Sequence, residues 1–193
     1  MAGANTKVAI ASNALELIGS AAIASFSDDD AGAVVANNIF DDIAEELLAF
    51  YPWSFAKKQS DALSMLTQTP DTLWDRVHQL PSDLLALRRI VVNSKDIDYE
   101  VYGDRVFSNA AEADDVYAIY THYADVTVWP PAFRLFMEYR LATIFATSVA
   151  IKADLAGFFL DKAEVQGRLA KSVDAQQDTT QAMTTTRFIT VRR

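Results

Sequence analysis

An acidic, leucine-rich run, Glu46-Leu47-Leu48-Ala49-Phe50, leads straight into Tyr51-Pro52-Trp53. Proline lacks an amide hydrogen, and its ring collides with the carbonyl four residues back in a helix. It also drives the preceding residue out of helical dihedrals. A helix arriving at this point must stop or kink at Phe50 or Tyr51. Four aromatics, Phe50, Tyr51, Trp53 and Phe55, then crowd one corner around Pro52. Each can bury a large area, so the corner is expected to be a structural anchor for several elements. Lys57 and Lys58 follow, and 54–66 reads as a short helix with Ala56, Leu63 and Leu66 apolar.

The segments on either side follow the same logic. Val8, Ala11, Leu15 and Ile18 recur at three- and four-residue spacing, which predicts a helix over 6–19. Asn5 or Thr6 can cap it, and Gly19 can stop it. Ile23 and Phe26 are expected to tuck inward from the connector. Ser27-Asp28-Asp29-Asp30 opens the second helix, with Ser27 as cap and carboxylates at the positive end of the dipole. Val35, Ile39, Ile43 and Leu47 are expected to face the core, and Asp41, Asp42, Glu45 and Glu46 to form a solvated flank. After a loop at 67–71, Trp74 should pack back on the domain, and Gln79-Leu80-Pro81-Ser82-Asp83 should turn the chain.

At Leu87 the pattern changes. Arg88-Arg89-Ile90-Val91-Val92 reads as a strand, and Tyr99–Tyr102 and 105–107 read as a hairpin around Gly103-Asp104. The run 116–123 is the best strand of the chain, rich in aromatic and β-branched residues. Residues 87–125 are therefore read as a small antiparallel lobe inserted in a helical protein. Pro131 then starts a strongly apolar helix over 131–152, suited to the centre of a bundle. A last helix over 154–173 should turn Leu155, Phe158, Phe159, Ala163 and Leu169 inward, with Asp154 as cap. The expected fold is mainly α within α+β: an antiparallel bundle of about four to five helices with an inserted sheet lobe. Residues 174–186 are polar and have little apolar surface to offset ordering entropy. Arg187-Phe188-Ile189-Thr190-Val191-Arg192-Arg193 returns to apolar side chains with three arginines. Residues 174–193 are read as a flexible docking arm whose contacts are Arg187, Phe188, Ile189, Val191, Arg192 and Arg193.

Composition narrows the chemistry. The 193 residues fit one domain with an appendage, and 51% of them are hydrophobic. There is no cysteine, hence no disulfide, thiolate nucleophile or Cys-ligated metal. The net charge of −9 makes sequence-independent nucleic-acid binding unfavourable. Residues 1–7 do not read as a signal peptide, and no stretch reads as a membrane span. His78 and His122 fall on different elements with no zinc spacing. The Asp28-Asp29-Asp30 run lacks the spaced ligands of a calcium loop. No Gly-x-Ser-x-Gly elbow or phosphate-cradling loop occurs. The carboxylate pairs Asp41/Glu45 and Asp42/Glu46 sit at helix-surface spacing. No catalytic, cofactor or metal residues are expected, and the remaining enzymatic alternative is a hydrolase using Asp41, Asp42 or Glu45.

Several phrases in order carry a family resemblance: Ala14-Leu15-Glu16-Leu17-Ile18-Gly19, the turn over 25–30, Ala36-Asn37-Asn38-Ile39-Phe40-Asp41-Asp42, the Leu47-to-Ala56 corner, and Gln79-Leu80-Pro81-Ser82-Asp83. A strand section ending in Tyr120 and Tyr123 follows. Together they resemble the head-to-tail connector adaptors of tailed bacteriophages, the family that includes tail tubular protein A and related head-completion proteins. The resemblance covers most of 8–170. It implies a structural virion protein, made in the host cytoplasm, that forms a ring on the portal protein, commonly with the portal's dodecameric symmetry. Such a ring extends the channel through which genomic DNA passes and carries the next tail component, a nozzle, tube or stopper protein. The family's C-terminal segments tend to reach onto the portal, in line with the arm read at 187–193. The alternative is another phage tail-completion protein or helical interaction module that does not bind the portal.

Overall fold

The structure, a computed structural model, describes residues 6–67 and 73–177. Helix α1 (Lys7–Leu17) starts where the Thr6 side chain accepts the Ala9 amide at 3.1 Å. It ends at Gly19, whose φ of 77° suits glycine and lets the Ser20 amide reach back to the Leu15 carbonyl. Helix α2 (Ala31–Phe50) is capped by Asp30, which accepts the Gly32 amide at 2.7 Å, and not by Ser27. Asp28 closes the preceding turn by accepting the Ala24 and Ser25 amides. The aspartate run is thus a turn followed by a cap.

The buried face of α2 is also rotated from the expected one. Ala33, Ala36, Phe40, Ala44, Leu47 and Leu48 are buried, while Val35, Ile39 and Ile43 sit half-buried at its margin. Small residues face inward because the helices approach closely; a Cβ on Gly32 would lie 2.9 Å from the Leu15 side chain. The helix ends at Phe50, and Tyr51 takes extended dihedrals (φ −137°, ψ 146°), as the following proline requires.

The expected helical bundle with a small inserted lobe is corrected. The described residues form an α+β fold with four α-helices and two antiparallel sheets. Helices α3 (Pro131–Ser148) and α4 (Ala153–Ala175) complete the helical layer, and α3 packs on α1, α2 and α4. One sheet has strand order β1-β7-β3-β4, from Lys57–Gln59, Val116–His122, Leu84–Val92 and Lys95–Ile97. The other has order β2-β6-β5, from Arg76–Gln79, Arg105–Ser108 and Tyr99–Tyr102.

The sheets therefore begin at residue 57, not 87. The expected helix over 54–66 is not formed: its first part is a 3-10 turn, Ser54–Ala56, followed by β1. Lys57, Lys58 and Gln59 are all exposed, so no apolar alternation marks this edge strand. In β2, Arg-Val-His-Gln hides its strand character because two successive residues, Val77 and His78, are buried, so no apolar alternation marks it. The inter-sheet core includes Leu80, Ile90, Val106, Val116, Ala118 and Tyr120. The turn after β2 is tied at both ends: the Leu80 amide donates to the Asp104 carbonyl, and Asp83 accepts from Tyr120 and Lys58.

Arg88 joins the helical layer to the first sheet. Its Nη2 donates to the Ala49 carbonyl at 2.7 Å, and its Nε donates to Thr121 Oγ1 at 2.9 Å. A guanidinium at the last turn of α2 also meets the negative end of the helix dipole.

Helix α4 departs furthest from expectation. Ala156, Phe159, Ala163, Gly167, Ala170 and Asp174 are its buried residues. Phe158 and Leu169, expected inward, are 52% and 53% exposed. A Cβ on Gly167 would come within 2.9 Å of the Phe136 ring, so the α3–α4 approach selects small residues. Asp154 does not cap this helix; the N-cap position is Lys152, without a side-chain bond.

Candidate functional site at the aromatic corner

The five corner residues divide into an inner and an outer set. Trp53 is 1% exposed and donates its indole N–H to the Leu47 carbonyl at 2.8 Å, so its one polar atom is satisfied by the helix it terminates. Its ring meets Tyr51, Phe55 and Phe133 at 4.8, 5.9 and 4.9 Å. Phe133 in turn stands edge-on to Trp129, which stacks on Phe40. These contacts link α2, the corner and α3 through one aromatic chain, with the geometry such rings prefer. Phe50 is the outer member, 68% exposed. The ammonium of Lys171 lies 4.0 Å from its ring centre and 5.8 Å from that of Tyr51.

The last turn of α4 closes on the same corner. Asp174 is 6% exposed, and its carboxylate accepts the Ser54 amide at 3.0 and 3.1 Å and the Ser54 hydroxyl at 2.6 Å. A buried carboxylate with three such bonds is well compensated. Its position is thus fixed where the described chain is about to end, at Gln177. Sequence reasoning missed Asp174 and placed it in the flexible arm. The available signal was its spacing: Ala163, Gly167, Ala170 and Asp174 share the small-residue face of α4.

Beside the corner, an open groove of about 330 Å³ lies between α2, α3 and α4. Leu47, Phe136, Leu160 and Gly167 give it an apolar floor, and Arg140, Arg168 and Lys171 stand among its polar lining. Glu46 holds Arg140 at 3.2 Å on its rim.

The expected arm contacts, Arg187, Phe188, Ile189, Val191, Arg192 and Arg193, lie outside the described residues. The carboxylates offered as an enzymatic alternative are spread along the exposed flank of α2. Asp41 accepts from Lys7 and from the Tyr123 hydroxyl, both at 2.7 Å. Burial pushes its pKa up, but those two hydrogen bonds outweigh it and hold the pKa below the usual range. Tyr123 moves the other way, raised by burial and by Asp41. This trio is a surface clamp between α1, α2 and the end of β7. His78 is buried between the sheets and His122 bonds the Ala56 carbonyl, so the two histidines serve different regions. Among the described residues no group of three or more His, Asp or Glu side chains is gathered as a metal site, and no helix is long and apolar enough to cross a membrane.

Comparison with known protein families finds no matching family model, and comparison with curated proteins finds no match.

Proposed function

We propose that this chain is a structural head-to-tail connector adaptor of a tailed phage. It assembles as a ring on the portal, extends the DNA channel without sequence-specific binding, and carries the next tail component. It acts by docking and not by catalysis. The observation that carries this reading is the Asp174–Ser54 closure. It fixes the end of α4, and nine residues, 178–186, separate Gln177 from 187–193. The same corner holds Tyr51-Pro52-Trp53-Ser54-Phe55, which together with Leu17-Ile18-Gly19 carries the more specific part of the family resemblance. An arm that must find one place on a large partner benefits from a rooted origin, because rooting reduces the freedom lost on binding.

The test is solution mass by light scattering, for the protein alone and mixed with portal rings. The expected outcome is stoichiometric, symmetric joining to the portal, lost when 180–193 are deleted while the fold is retained. Normal portal binding by the truncated chain removes the arm from the mechanism. Binding to a tail-tube protein and not to the portal replaces the adaptor with a tail-completion protein.

A further inference from the structure

A net charge of −9 sets copies of this chain to repel one another, yet two of its surfaces are matched. The first is the groove between α2, α3 and α4. Phe50 and Leu160, both exposed, stand in its apolar lining. Glu46 takes the charge of Arg140, but Arg168 and Lys171 form no ion pair among the described residues, even with Glu164 in the same lining. The second surface is strand β5. Asp98, just before it, and Glu100 and Tyr102 within it are two residues apart and share one face. Tyr102 is 55% exposed. Glu100 Oε2 accepts the Trp74 indole N–H at 2.8 Å and the Tyr102 hydroxyl at 2.6 Å. Both donors are neutral, so Oε1 stays open and the carboxylate has no cation among the described residues. The hairpin is also rigid, since the Leu80 amide and Gln79 Nε2 donate to the Asp104 carbonyl at 3.0 and 2.9 Å. A surface held in place in this way loses little freedom on binding.

We propose that β5 of one copy docks in the helical groove of a second copy, with Tyr102 on the apolar floor and Asp98 and Glu100 against Arg168 and Lys171. The groove is lined wholly by helices and the hairpin belongs to a sheet, so each is fixed in the fold and the occupant comes from another chain. Side chains three apart on a helix lie about 5–6 Å from each other. Those two apart on a strand lie about 7 Å from each other, so the cation pair and the carboxylate pair agree in span. A groove of about 330 Å³ is at the small end of binding pockets and suits an inserted side chain, not a whole helix. As an edge of its sheet, in the order β2-β6-β5, β5 is open to approach from outside. The two surfaces differ, so the contact is heterologous and repeats from copy to copy, closing a ring where the rotation allows. That it closes a ring rests on the adaptor reading; the pairing itself rests on the two surfaces.

The test is mass by light scattering across a dilution series of the full chain, without portal. The native chain is expected to associate as its concentration rises. Tyr102→Ala is expected to weaken this at least about ten-fold, equivalent to about 1.4 kcal/mol. One reversed chain carries Arg168→Glu and Lys171→Glu, and the other carries Asp98→Lys and Glu100→Lys. Each is expected to stay monomeric alone and to associate when the two are mixed. A chain with all four changes is expected to associate by itself, which also shows that the changes leave the fold intact. A native chain that stays monomeric overturns the proposal, as do reversed chains that associate alone as the native chain does or fail to associate when mixed. Portal is absent, so failure here leaves the portal-binding test standing. Head-to-tail association in a chain that ignores the portal keeps this contact and removes the adaptor reading.

Discussion

The aromatic corner and the space between the two sheets are both buried, yet they treat polar groups differently. At the corner, Trp53 and Trp129 donate their indole N–H groups to backbone carbonyls, and Asp174 accepts three bonds from Ser54. Between the sheets, His78 is 4% exposed and Ser108 fully buried. His78 Nδ1 and Ser108 Oγ have no partner among the described residues. Both project from the β2–β6 pair, His78 opposite Val106 and Ser108 two residues further along. Unsatisfied buried polar groups cost stability that apolar packing must offset. The aromatic corner is thus the firm half of this comparison and the inter-sheet space the other, although on α3 Arg134 Nε and Arg140 Nε also have no partner among the described residues.

The largest effect should come from attacking the firm half. Trp53→Ala is expected to cost about 3–5 kcal/mol, lowering the melting midpoint by about 2–4 °C for each kcal/mol. A loss no greater than that of an inter-sheet Val106→Ala would break the contrast. Asp174→Ala removes the acceptor of the Ser54 amide and leaves the hydroxyl only its longer contact to Gln177, and is expected to cost about 1–3 kcal/mol. Faster hydrogen exchange at Ser54 and along the last turn of α4 is the local signature, and unchanged exchange there would remove the closure.

The sheets should reveal themselves through pH. Burial, and then the Arg76 charge, hold the His78 pKa below its ordinary value. Folding therefore disfavours its proton. This contribution is complete above the unfolded value of about 6.5 and declines as the pH falls toward the folded value. Glu138 opposes this near its own range, since burial raises its pKa. The informative quantity is therefore the difference between the native chain and His78→Gln. The melting midpoint of the native chain should drop more between pH 7 and 5.5, and equal drops would clear His78. The smallest effect is expected at Asp41→Asn, an exposed partner of Lys7, at about 0.2–1 kcal/mol and diminishing with salt.

Legibility in the sequence follows the same divide. Pro52 ended α2 where proline chemistry requires, and the hairpin turned at Gly103, whose φ is 62°. Strands β3 and β7 were readable from their β-branched and aromatic runs. Strands β1 and β2 were not, because one is a wholly exposed edge and the other buries two successive residues in place of an alternation. The faces of α2 and α4 were misassigned for a shared reason. The rule that large apolar residues point inward fails where helices approach closely and alanine or glycine occupies the contact. Asp174 was hidden by its chemistry, since an aspartate beside a polar tail reads as solvated until Ser54 is seen beneath it.

The bond between Ser54 and Asp174 joins residues 120 apart in the chain. The first of them emerges in synthesis well before the second. Contacts of such separation form late, because a long loop must close before they stabilise anything. The corner therefore works as a check on completeness. A chain cut short before α4 has the Tyr-Pro-Trp phrase but lacks the carboxylate that fastens Ser54 beside it.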